Sequence, residues 1–588
     1  MTGATGAASE PRELSRFARW CLVLGTSLLV LFATVLVVAI AGLAVGIGVG
    51  WWIVVPAIAA QVWFTVAAWC HGAGAETSWI AQASVTLAVA WLAIVVAGVA
   101  SQVVTDHSVD GRHYHSETTF AIADGWNPLR DAPLFPSGKP VQPDSFAKGQ
   151  AITAAVVLDI TGSIDSTRLV GAMLLLAAAL TAIAALEAAG AGMWLALLGG
   201  LVLASNPVAL AQLETSMVDG VVSSLLLACI ALGLLWVWRH PPFVVLPAFA
   251  GALVLLVNTK FTGLVHVGLI VGPVILLAGL LAGLGRKLVP MLAGLALATV
   301  VAMVAIGYNP YVTNTMRHDN PLHPVYGPDS REIGALYLTP PLRKMSDPER
   351  LVRSVLGESA GTSTLSIKAP LTFSTAEWSS FRSAGPRFGG FGPWFSAGIL
   401  LAIAAAFAAL IALIIKKEQV SRPAYTLLGV AVICIAVTLV QPFSFVARFA
   451  PQLWFVPPLV AIAAALAVSA VAVRVIAWIA LSILFLDAVG VAGAAAAWSV
   501  RNTHREEKSL ALLRKHNPLE VEFGSWRSAE ARRLRENGVQ FGVVKHVTCP
   551  RPFILSIPGS LERHPLPGGF PSKAAAVLCP VNADAPSG

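Results

Sequence analysis

The sequence predicts an all-α polytopic membrane protein of about 13 transmembrane helices that ends in a small extracytoplasmic α/β module. Three observations predict it. The 588 residues are 56% hydrophobic and 12% charged, with mean hydropathy +0.75, against roughly 25% charged in a soluble domain. Apolar runs of roughly 20 residues, enough to cross a hydrocarbon core about 30 Å thick, recur along most of the chain. After Arg501 the composition turns abruptly polar.

The expected spans lie near 20–45, 51–70, 78–100, 166–188, 192–210, 218–238, 242–258, 263–284, 288–307, 394–415, 424–441, 452–471 and 474–499. The first follows a leader, residues 1–19, that carries Arg12, Arg16 and Arg19. Its apolar stretch is longer than the roughly 7–15 residues of a secretory signal, so it reads as an uncleaved span behind a cytoplasmic leader. Alternation then puts Arg239-His240, Arg286-Lys287, Lys416-Lys417 with Arg422, and Arg474 at cytoplasmic ends, in keeping with the excess of Lys and Arg in cytoplasmic loops. It puts 101–165, 206–217, 308–393 and the tail outside. The expected organisation is a leader 1–19, a membrane domain 20–500 with external loops 101–165 and 308–393, and an extracytoplasmic domain 501–588, all in the cell membrane.

Net charge is +8 with pI near 9.3. Because the cations cluster in short loops between apolar runs, this is a topology signal and excludes a nucleic-acid footprint. Cys21, Cys70, Cys229 and Cys434 lie in apolar stretches without metal-type spacing. Cys549 and Cys579 lie in the polar tail, where an oxidising compartment permits a disulfide.

The loop after Tyr308 exceeds the length at which unstructured connections are common, so short elements are expected in it. Ser346-Asp347-Pro348-Glu349 has capping-box spacing ahead of Leu351, Val352 and Val355, which predicts a short interfacial helix. In the tail, Ser528 to Asn537 reads as a helix closed by Gly538, and Val539 to Val547 alternates like a strand.

The densest polar segment follows the third span. Asp106, His107, Asp110, His113 and His115 crowd ten positions there, followed by Glu117, Asp124 and Trp126-Asn127-Pro128. Carboxylates and imidazoles at a membrane surface supply a general base or metal ligands, although a solvated loop tolerates the same residues. The spacing matches no zinc signature; the cofactor stays open, a divalent cation held loosely by Asp106, Asp110 and His113 being one that carboxylate oxygens would suit.

Asp110-Gly111-Arg112-His113-Tyr114-His115 followed by Gly125-Trp126-Asn127-Pro128 resembles the first external loop of bacterial GT-C superfamily glycosyltransferases, in which an Asp soon after a span precedes an aromatic/His pair and a GWNP-type turn. Lys148-Gly149 and Leu158 to Gly162 are similar to elements that follow in such proteins. Asn206-Pro207, Asn258 to Gly263, Tyr308-Asn309-Pro310 and Arg448 to Gln452 fall at helix ends on the same face, as that family's later elements do. The resemblance covers roughly residues 100–460. It departs in one respect: three apolar spans precede the loop here, where most of these enzymes have one.

The resemblance implies a polyprenyl-phosphate-linked sugar as donor and an extracytoplasmic glycan, lipid or protein as acceptor, with Asp110 as general base. Such a donor keeps its phosphate at headgroup level, so cations are needed at the external ends of helices. Lys260, Arg448 and Arg317 stand there, and a phosphate suits them, though each also fits snorkelling to lipid headgroups. His113, Tyr114, His115, Trp126, Asn127 and Glu214 are the expected substrate contacts; Trp126 offers an indole for stacking or for packing on the loop's prolines. Glu214 and Asp219 share the external face and could bind sugar or acceptor, but read first as helix-terminus carboxylates near an N-terminal dipole. Two other classes remain open at this point. A secondary transporter shares the many spans, but places its ionisable residues near the midplane, and a non-catalytic envelope-assembly protein would need no Asp110.

Overall fold

The computed structural model describes residues 13–72, 78–135, 141–238, 240–326, 338–359, 366–385, 388–524, 527–549, 552–556, 560–563 and 574–581. Arg12 and Arg239 of the expected cytoplasmic set lie outside the described residues.

Among the described residues, eleven helices are long and apolar enough to cross a membrane, from Arg16–Val45 to Val471–Lys515. They coincide with eleven of the thirteen expected runs. The other two, expected at 192–210 and 452–471, are shorter apolar helices, Met193–Ala204 of 12 residues and Gln452–Ala467 of 16. The first is cut short by Asn206-Pro207. Proline disfavours helical backbone in the residue before it, and Asn206 restarts the chain as an N-cap, its side chain accepting from the Val208 N–H at 2.9 Å. Helices Gly285–Ile306 and Phe395–Lys416 leave much of their apolar surface uncovered, with Val300, Phe407, Ile411 and Ile414 exposed. That surface is stable against lipid and unfavourable against water.

Contacts between distant segments respect the expected alternation. The Ser15 N–H donates to Glu187 at 2.6 Å, and the Ser469 N–H to Glu418 at 2.9 Å, each pair joining ends expected on one face. On the other face Asp106 meets Ser216, Lys148 meets Asn309, and Asn314 meets Ser145.

Helix Val471–Lys515 runs unbroken through the expected domain boundary near 500. The composition shift there changes the surroundings and not the backbone, because Arg501 to Lys515 is still rich in strong helix formers. Beyond it strands β1 (Leu519–Phe523), β2 (Phe541–Val543), β3 (Phe553–Ser556), β4 (Ser560–Arg563) and β5 (Ala574–Pro580) form one sheet in the order β2-β1-β5-β3-β4, with β1 and β2 parallel and the other pairs antiparallel. Helix Arg527–Glu536 connects the parallel pair and ends at Gly538, whose φ of +71° suits glycine. The strand expected over 539–547 is confined to three residues. Leu510, Leu513, Leu519, Leu534 and Leu578 make the core of this module, and Cys549 is bonded to Cys579 with their Cα atoms 6.2 Å apart. In the loop after Tyr308, Ser346 caps helix Asp347–Leu356 as its spacing predicts.

Candidate active site

Asp110 is held by a turn that packs on itself. After helix Trp79–Ser101, the buried Asp106 carboxylate accepts from the Ser108 N–H (2.8 Å) and hydroxyl (2.7 Å), and from the Ser216 N–H (2.7 Å). Gly111 lets this turn close: a Cβ there would lie 2.3 Å from an Asp106 oxygen. An irregular helical turn, Gly111–His115, follows and kinks at His113 (φ −81°, ψ −106°). Asp110 is left 32% exposed at its start.

Three other segments converge on it. Arg448 lies in the short turn Ala447–Phe449 between helices Arg422–Val440 and Gln452–Ala467. Its Nη2 is 2.8 Å from Asp110, and its Nε is 3.0 Å from Asp219. Lys260 occupies an extended break (φ −159°, ψ 149°) between helices Pro242–Thr259 and Phe261–His266, and its ammonium pairs with the same Asp219. The break is tight because Gly263 sits on the Leu256 carbonyl, where a Cβ would come within 2.1 Å. Asp219 opens helix Asp219–Val237, is 2% exposed, and also accepts from the Gln212 amide at 3.1 Å. The Phe449 ring centroid lies 5.5 Å from Lys260 and 5.7 Å from Arg448. The result is a chain of alternating charge, Asp110–Arg448–Asp219–Lys260. A carboxylate buried as deeply as Asp219 is tolerable because two cations and a helix N-terminus face it.

The remaining expected site residues divide. His115 lies at this cluster, with its ring 4.2 Å from that of Tyr114; burial pushes its imidazole down to about 4, against the pull of Asp110 and Asp219. Tyr114 continues an aromatic row through Phe146 and Phe261 to Tyr311. Burial likewise lowers His113. Trp126 is half-buried, donates its indole N–H to the Ala132 carbonyl at 3.1 Å, and has Lys148 6.0 Å from its ring. The Asn127 amide braces the backbone, donating to the Leu43 carbonyl at 2.8 Å and accepting from the Leu129 N–H. Glu214 stands apart, with its carbonyl on Arg168 (2.7 Å), its carboxylate 3.9 Å from the same guanidinium, and its acidity weakened by burial. Arg317 does not join Lys260 and Arg448. It is exposed on helix Thr313–His318, where its field acts on Lys148. Both oxygens of Asp106 are taken by N–H and O–H donors, and among the described residues no three His, Cys, Asp or Glu side chains gather into a metal-type group.

The motif asparagines and Lys148 tie the face together. The Lys148 ammonium is buried and donates to the Asp144 and Phe146 carbonyls and to the Asn309 side chain. Burial pushes it down to about 7, opposed by Asp144 and reinforced by Arg317. Asn309 in turn donates to the Pro128 carbonyl at 2.9 Å, and Asn206 to the Pro451 carbonyl at 3.2 Å.

Sequence reasoning set aside one central residue and missed a second set. Asp219 reads as an ordinary helix-terminus carboxylate; its one signal is that it is the sole charged residue of a long apolar helix. Arg112 is sealed between Glu506 (3.0 Å) and Glu530 (3.0 Å), and Glu506 also meets Arg533 (3.2 Å). Glu117 accepts from the Ser528 and Ala529 N–H groups at the start of the tail helix. The loop carrying Asp110 and the C-terminal module are therefore one packed unit. Compared with known proteins, the chain matches no family model, no curated protein and no solved structure.

Proposed function

We propose that this chain is a membrane glycosyltransferase of GT-C type that moves a sugar from a polyprenyl-phosphate-linked donor to an extracytoplasmic acceptor. The proposal includes the sidedness: the N-terminus cytoplasmic, the cluster and the C-terminal module outside, and the two shorter apolar helices completing thirteen spans in the cell membrane. One observation carries it: a partly exposed carboxylate, Asp110, sits against two cations that a buried carboxylate, Asp219, holds at the ends of apolar helices. That is the arrangement lipid-phosphate chemistry needs at headgroup level. A transporter would place its charges nearer the midplane.

In this reading Asp219 is a positioning residue. It aims the Arg448 fork and the Lys260 ammonium so that an arriving phosphate meets fixed donors. The phosphate takes Arg448 from Asp110, which frees the carboxylate to accept the proton of the acceptor hydroxyl as that oxygen attacks the anomeric carbon. The C–O bond to phosphate breaks, and the cations stabilise the departing charge. No second carboxylic acid is required, because phosphate is a good leaving group.

The test separates the two roles. Asp110→Asn should lower transfer by roughly 100-fold or more while donor binding persists. Lys260→Ala, which leaves Arg448 on Asp219, should weaken donor binding and turnover together. Donor-lipid binding indifferent to both Lys260→Ala and Arg448→Ala would overturn the reading.

A further inference from the structure

A cleft open to solvent lies beside the ion cluster and shares His115 and Gln212 with it, its roughly 550 Å³ of empty space including the adjoining solvent. Gln212 is the residue whose amide reaches Asp219, so the cavity and the cluster have a common wall. Its one fully charged lining residue, Arg168, already has its charge matched, with the Asp165 carboxylate 3.1 Å and the Glu214 carboxylate 3.9 Å from the guanidinium. The guanidinium donates to the carbonyls of Ser101, Val104, Asp165 and Glu214 and to the Asp165 carboxylate. Three other lining side chains keep their capacity: the Gln150 amide, the Ser216 hydroxyl and the His115 ring make no side-chain hydrogen bond to any described residue. Ala154, Leu175 and Val221 complete the lining with apolar surface.

We propose that this cavity receives an uncharged sugar ring, with Gln150, Ser216 and His115 hydrogen-bonding its hydroxyls and the apolar wall meeting its C–H face. The inference rests on the glycosyltransferase reading and narrows it to neutral sugars. The physical reason is desolvation. A carboxylate or ammonium on the ring would lose hydration against neutral groups and a guanidinium whose charge Asp165 and Glu214 already match, with no free counter-charge in the lining to offset the loss. Hydroxyls find both donors and acceptors there, since an amide supplies both. His115 remains neutral near pH 7 because burial depresses its basicity to about 4, so it adds no charge.

The experiment uses the full chain in lipid nanodiscs and measures binding of four probes: bare polyprenyl phosphate, the same lipid bearing a neutral hexose, the same lipid bearing a uronic acid, and a neutral alkyl glycoside added with the bare lipid. If the ring belongs to the donor, the hexose should raise affinity over the bare lipid by roughly tenfold or more. If it belongs to the acceptor, the alkyl glycoside should bind instead. In either arm Gln150→Ala and Ser216→Ala should each remove most of the gain and leave bare-lipid affinity unchanged. The inference is overturned if neither neutral ring gains affinity, or if the uronic acid binds as well as the hexose. Failure of the bare lipid to bind would instead strike the parent reading, and the alkyl glycoside arm would still report on the cavity.

Discussion

Arg112 and Glu530, 418 positions apart in the chain, are joined by two hydrogen bonds of 3.1 and 3.0 Å with both side chains 2% exposed. Arg112 stands two residues after Asp110, so this pair fixes the candidate base from the far end of the sequence.

Breaking that pair from one side should be costly. Glu530→Gln leaves the Arg112 charge half compensated, and loss of one partner of a buried pair typically costs about 3–5 kcal/mol. The expected result is a lower unfolding midpoint together with faster hydrogen exchange across 105–123. Adding Arg112→Gln should cost less than the sum of the two single changes; simple additivity would mean the residues do not interact.

Acid should loosen the same junction through His107. Its side chain is fully buried beside Glu506, Arg112 and Arg533, and burial pushes the imidazole down to about 3. Glu506 is already matched by two guanidinium groups, so it does not draw a third positive charge. The unfolded chain takes up the proton near pH 6.5 and the folded chain does not, so the stabilisation is full above pH 6.5 and is lost as pH falls toward 3. The slope is at most about 1.4 kcal/mol per pH unit. Thermal unfolding of the wild type and His107→Gln from pH 7.5 to 4.5 should diverge; parallel curves would refute the assignment.

The Cys549–Cys579 bridge closes a segment of 30 residues across the sheet. Cys579→Ala should destabilise the C-terminal module by about 2–4 kcal/mol. Limited proteolysis should then cut the tail sooner, with cleavage in the membrane domain unaltered. Equal protection with and without reductant would show that docking on the Asp110 loop suffices.

Sidedness has a direct measurement. A reporter placed after residue 588 should register as extracytoplasmic, and one inserted between Lys416 and Arg422 as cytoplasmic. Both on one side would contradict the alternation.

Local pattern was enough to set the helices, because a span announces itself through one uninterrupted property, the hydropathy of its own residues. Eleven expected runs are helices of spanning length among the described residues, and the cap at Ser346, the stop at Gly538 and the paired tail cysteines were likewise legible, each resting on residues in their own short segment or on cysteine alone. The shortened helix before Asn206 was less so, since hydropathy does not register a proline break. The site lay beyond such reasoning for a different reason. Asp110, Asp219, Lys260 and Arg448 come from four segments, and whether a cation at a helix end meets a carboxylate or the solvent depends on how the helices pack. Packing brought Lys260 and Arg448 onto Asp219, left Arg317 exposed where its field reaches Lys148, and spent Asn127 on the backbone of the first helix. The sequence by itself determined which segments are apolar and where polar chemistry is concentrated; the tertiary structure decided which charges pair, because the cost of burying a charge is set by its neighbours in space and not by its neighbours in the chain.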